Sequence, residues 1–166
     1  MLQFRMDKKI IARVLLQMLP QIDGYCETLA RKNYRDAIKS QLSEYWDAER
    51  IMERIIDKTF RAQQLQSLKK KIEKQLLTAP EKTQTVIQLF FLKDQKIAKI
   101  AEKLNVTERT IFREINKSVD WFSNQLDWVG MTPVRFQELL SQNPLVRENL
   151  DSYLRTLSSL PKPCIA

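Results

Sequence analysis

Glycine is almost missing from this chain, with two residues in 166. Strands joined by tight turns need glycine at positive φ, and no stretch alternates apolar and polar residues for long, so the sequence reads as all-α. Histidine is absent, and the two cysteines, Cys26 and Cys164, are too far apart for a metal-ligand spacing or a disulfide framework. There is accordingly no Ser-His or Cys-His pair, and there is no glycine-rich phosphate loop or metal-like cluster of carboxylates. These absences argue against an enzyme, with no catalytic residue, no metal and no cofactor expected. Long apolar runs are lacking too, so no membrane span is expected. The opening MLQFRMDKKIIARVLLQML is basic then apolar, but Arg13 and Gln17 interrupt it and no small-x-small cleavage site follows. The expected compartment is the reducing cytoplasm.

Positive charge is what the chain does have, and it is regional. Of the net +8, residues 50–118 alone carry +8, while residues 1–49 come to +1, residues 119–160 to −2, and Lys162 adds +1. Concentration of this kind is what a polyanion-binding surface requires. A solvated helix face rich in Lys and Arg would look similar, since both are good helix formers.

Within the basic region, Lys96 to Val119 (KIAKIAEKLNVTERTIFREINKSV) has the pattern of a helix-turn-helix. Ile97, Ala98, Ile100, Ala101 and Leu104 share one helical face, and Ile111 and Ile115 resume the spacing after Asn105-Val106-Thr107. Ala101 is small where two helices would cross. Asn105 tolerates the left-handed conformation a tight turn needs, Val106 is expected to plug the space between the helices, and Thr107 to cap the second one. Its outward positions are Glu108, Arg109, Thr110, Arg113, Asn116 and Lys117. Arg and Asn pair bidentately with guanine and adenine edges, and Glu accepts from cytosine. Together with Thr107 at the helix start, these seven are the expected DNA-binding residues. Phe112 fits either a thymine methyl or a neighbouring helix.

Three regions follow from the punctuation of the chain. Residues 1–77 form a helical N-terminal region: Ile10, Ile11, Val14, Leu15, Met18 and Leu19 make one face of a first helix, Pro20 and Asp23-Gly24 end it, and a second helix runs from Tyr25 to Lys39. From Leu42 to Leu77 there is neither Gly nor Pro, which predicts a long linker helix that breaks, packs on the N-terminal pair, or pairs with a second copy as a homo-oligomer. Residues 78–122 are the DNA-binding domain of helices 81–92, 96–104 and 108–121, with Thr78 and Glu81 spaced as a capping box. Residues 123–166 hold short C-terminal helices starting at Thr132-Pro133 and near Pro144. The crowded Trp121, Phe122, Leu126, Trp128, Val129, Met131 and Phe136 suit core packing, a second subunit or a protein partner such as RNA polymerase.

Residues 78–118 resemble region four of bacterial sigma factors, on the strength of EKTQTVIQLFFLKDQ followed by KIAKIAEKLNVTERTIFREINK. The resemblance implies double-stranded DNA as a partner, with base-reading positions at Glu108, Arg109 and Arg113 and phosphate contacts at Thr107 and Lys117. Asn105 replaces the family's usual glycine, and Thr110-Ile111-Phe112 replaces a more basic stretch, so base preference does not carry over. The layout of helical N-terminal half, Lys-rich linker and helix-turn-helix is similar to phage and prophage late-gene activators of the ArpU and RinA type, which implies a promoter-bound transcriptional activator working with bacterial RNA polymerase. An alternative sigma factor would need aromatics of region two, for which Tyr34, Tyr45, Trp46 and Phe60 are available. A phage small terminase subunit is a third reading, although its helix-turn-helix usually leads the chain.

Overall fold

Asp7 accepts a hydrogen bond from the Lys9 amide at 3.0 Å and so starts the first helix, α1 (Lys8–Met18). The structure is a computed structural model that describes residues 6–42 and 47–159. After a single 3₁₀ turn at Leu19–Gln21 come α2 (Ile22–Leu42), α3 (Ala48–Leu76) and α4 (Glu81–Ile87). A wide π turn at Gln88–Leu92 leads to α5 (Ile97–Leu104), α6 (Glu108–Gln125), α7 (Pro133–Gln142) and α8 (Pro144–Ser159). The protein is all-α, with no strand among the described residues. Tyr45, Trp46 and the tail Pro161-Lys162-Pro163-Cys164 lie outside them.

The chain divides into two compact units, residues 20–78 and residues 1–19 with 79–166. The first helix therefore does not belong with the N-terminal region expected over 1–77. α1 packs against α6 and α8 and also touches α7 and the π turn. Its sequence explains the placement: Ile11, Ala12, Val14, Leu15, Leu16 and Met18 are all fully buried, so the apolar surface wraps most of the helix rather than one stripe. A helix apolar nearly all round has to be enclosed by others. Burying each of its large side chains contributes about 1.5–3 kcal/mol.

Two details at helix starts differ from expectation. Asp23 and Gly24 lie inside the first turn of α2, not in a turn before it. The capping box at Thr78 and Glu81 does not form: the Thr78 hydroxyl donates to the Gln75 carbonyl at 2.7 Å, closing the end of α3, and Pro80 occupies the cap of α4 with no side-chain bond. With Pro80 at the cap, Thr78 stands two residues before it, and its hydroxyl serves an orphan carbonyl of α3 instead.

In the unit of residues 20–78, α2 and α3 form an antiparallel hairpin. Lys69 Nζ donates to Asp23 Oδ2 at 2.5 Å, Gln66 Nε2 to Asp23 Oδ1 at 3.2 Å, and Asn33 Nδ2 to the Thr59 hydroxyl at 3.2 Å; Lys58 is bonded to Asp36. The Lys69 bond first and the Gln66 bond second hold the Asp23 carboxyl below its ordinary range, and Lys58 does the same for Asp36. The 29-residue α3 neither breaks nor stands alone, because α2 lies along it.

The aromatic C-terminal segment is mostly core, with Trp121 half-buried and Trp128 exposed. Phe122, Leu126 and Phe136 are fully buried and Val129 and Met131 nearly so, but Trp128 is 79% exposed. It sits in the turn before Gly130, whose φ of 71° carries the chain towards α7. Thr132 caps α7 by accepting from the Arg135 amide at 3.2 Å, with Pro133 in the first turn.

Candidate nucleic-acid interface

The turn between α5 and α6 is built as its residues dictate. Asn105 adopts φ 53°, ψ 48°, the left-handed conformation, and its amide bonds back towards Ala101 and Glu102. The Val106 amide donates to the Ala101 carbonyl at 3.0 Å, which completes the closure of α5. Thr107 then returns to extended backbone and accepts from the Thr110 amide at 3.3 Å, while the two threonine hydroxyls lie 2.9 Å apart. Three residues thus reverse one helix into the next. Ala101 is buried where α5 meets α6, as its small size requires.

On α6 the inner face holds Ile111, Ile115, Val119 and Phe122, all buried, with Ser118 donating to the Glu114 carbonyl at 2.8 Å. Of the expected DNA-facing residues, Thr107, Glu108, Arg109, Arg113, Asn116 and Lys117 are exposed. Thr110 is half-buried and engaged with the Thr107 cap, which makes it a structural residue of the turn as much as a surface one. Phe112 is 53% exposed and therefore stands on the outer side of α6 rather than in a neighbour. Arg109 and Arg113 lie one turn apart, so their guanidinium groups project from the same side.

Val106 differs from expectation. It is 40% exposed and forms one wall of an open cleft of about 330 Å³, shared with Val86, Leu104 and Ile111, so it does not plug the space between the helices. Lys82 and Glu114 stand at the polar end of the same cleft. Glu114 is the residue that the sequence pattern missed. It occupies an inner position of α6, with only 11% of its side chain accessible, and its Oε1 lies 3.3 Å from Lys117 Nζ and 3.5 Å from Lys82 Nζ. Burial alone would raise its pKa, but the bond and charge of Lys117, joined by those of Lys82, outweigh burial and hold the carboxyl below its ordinary value. Lys117 is consequently part of a clamp between α4 and α6 as well as a surface cation. The only hint in the sequence was an acid directly before Ile115 on the apolar side.

Lys93, Lys96, Lys99 and Lys103 are also exposed, on α5 and the segment leading into it. They add to the exposed cations Arg109 and Arg113 of the same unit, and motif reading alone did not single them out. Residues 56–127 match the model of a family described, as a provisional assignment, as helix-turn-helix proteins that are YlxM / p13 like. The match takes in the second half of α3 and every element of the helix-turn-helix, and it supports a DNA-binding regulator. Neither a curated protein nor a solved structure matches the chain. No described helix is long and apolar enough to cross a membrane, and no described group of His, Cys, Asp and Glu could hold a metal.

Proposed function

We propose that this protein is a sequence-specific transcription regulator that reads duplex DNA with α6. The observation that carries the reading is the exposed pair Arg109 and Arg113, one turn apart on a helix whose start is fixed by the Thr107 cap and the left-handed Asn105. In this arrangement α6 enters the major groove by its N-terminal half. Arg109 and Arg113 donate to guanine edges or flanking phosphates, Glu108 accepts from cytosine, Asn116 reaches an adenine edge, and Thr107 and Lys117 meet the backbone. Thr110 holds the turn from beneath. The wider lysine surface adds affinity for any duplex.

The finer reading is an activator working at promoters with bacterial RNA polymerase, encoded by a phage or prophage. It is supported by the resemblance of residues 78–118 to sigma region four and by the late-activator layout of the chain. Binding to a library of duplexes over a salt series tests the first reading: a selected consensus whose preference is relaxed by Arg113→Ala is expected, and equal affinity for all duplexes would refute it. Transcription assays with core polymerase alone and with holoenzyme test the second, since an activator works only with the holoenzyme.

A further inference from the structure

The hairpin of α2 and α3 carries an apolar face that none of the described residues of its own unit covers. Tyr34 is 70% exposed, Ile38 37%, Met52 63%, Ile56 61% and Phe60 54%. Tyr34 and Ile38 are one turn apart on α2, and Met52, Ile56 and Phe60 repeat at four-residue steps on α3. The contacts that hold the hairpin, at Asn33, Asp36, Ile55, Lys58 and Thr59, place both sets on the same flank. Tyr34 follows Asn33 and Ile56 follows Ile55 by one helical step, and in an antiparallel pair equal steps turn towards the same side. The face offers on the order of 500 Å² of apolar side chain, at the upper end of what an ordinary monomer leaves in water.

We infer that this face binds the same face of a second copy of the chain, giving an isologous dimer with a four-helix bundle at its centre. The rim charges select that occupant. Beyond the apolar residues, Arg31 is paired with Glu27 and Asp57 with Arg61 within their own helices, which leaves Arg35 on the outer edge of α2 and Glu53 on the outer edge of α3. A twofold axis parallel to the helices lays α2 of one copy on α3 of the other and so sets each basic edge against an acidic one. A twofold across the helices would oppose Arg35 to its own copy, which like-charge repulsion disfavours. In the favoured arrangement each helix is antiparallel to both of its neighbours, the geometry of an up-down bundle. The apolar area with its rim approaches the roughly 800 Å² per partner of a stable interface. The inference concerns residues 20–78 and does not depend on what α6 reads.

Sedimentation equilibrium of the full chain tests it. The wild type is expected to be dimeric at micromolar concentration, and Ile56→Glu monomeric with an unchanged helical circular dichroism signal, since Ile56 is already exposed. Arg35→Glu is expected to weaken the dimer about fivefold, and adding Glu53→Arg to restore it. A monomeric wild type, or a dimer that survives Ile56→Glu, would overturn the inference; the first leaves the face to a different protein, the second places the contact elsewhere. Failure of the charge reversal to restore association would overturn the proposed axis.

Discussion

The carboxylate of Glu114, buried on the inner side of α6, lies 3.5 Å from the ammonium of Lys82 on α4. The pair ties α6 to α4 beside the open cleft that both helices line. Because the folded carboxyl titrates below the ordinary value of 4.5, its contribution is complete above that value and is lost as pH falls through the lower folded one. Glu114→Gln is expected to cost about 1 kcal/mol at neutral pH, the exposed lysines limiting the effect. Urea denaturation from pH 7 to pH 3 checks it: the wild type and variant curves should converge at the acid end.

Asn105 sets a second expectation. At φ 53° a glycine loses nothing sterically, whereas a β-branched residue is strained. Asn105→Gly should leave stability within about 0.5 kcal/mol, while Asn105→Val should lower it by about 1–2 kcal/mol and shift the entry of α6. Thermal unfolding of the two variants separates the cases, and equal losses would remove the left-handed turn from the account.

The enclosed first helix predicts a long-range effect. Leu15→Ala leaves a cavity between α1 and its neighbours, at an expected cost of about 2–5 kcal/mol. The damage should fall on the helix-turn-helix unit: amide hydrogen exchange is expected to accelerate in α6 and α8, with much less change in α2. Acceleration confined to residues 20–78 would contradict the division of the chain.

Arg113 and Lys117 should part company in binding. Arg113→Ala is expected to lose about 1–3 kcal/mol on the preferred duplex and to relax choice at one base pair. Lys117→Ala should weaken binding to every duplex alike and reduce the salt slope by about 1. It should also cost some stability through Glu114, which the Arg113 variant should not. Fluorescence anisotropy at two salt concentrations distinguishes these outcomes.

The helix-turn-helix was legible because each of its signals is local. The period of Ile97, Ile100 and Leu104, the left-handed tolerance of Asn105 and the hydroxyl of Thr107 each act within one or two turns of chain. What was not legible depends on partners distant in sequence. The apolar pattern of residues 10–19 announced a helix with one apolar face but could not say that α6 and α8 would enclose it. Glu114 carried little signal of its own in the pattern, because its partner Lys82 lies on another helix. Thr78 was misread because α4 starts two residues later than a capping box there requires, at the Pro80 cap, and Val106 because the space it borders stays open on one side.

The position of α1 fixes an order of events in synthesis. Its enclosing partner α8 begins at Pro144, about 125 residues after Met18, an interval of roughly 6–25 s of translation. During that time Ile11, Leu15, Leu16 and Met18 have been made without the helix that will shield them, while the hairpin of residues 20–78 already has all its own contacts. The unit that carries the helix-turn-helix thus closes only when α8 has joined α1. A message broken between the end of α6 and the start of α8 yields a protein with every residue of its helix-turn-helix and no finished core beneath it.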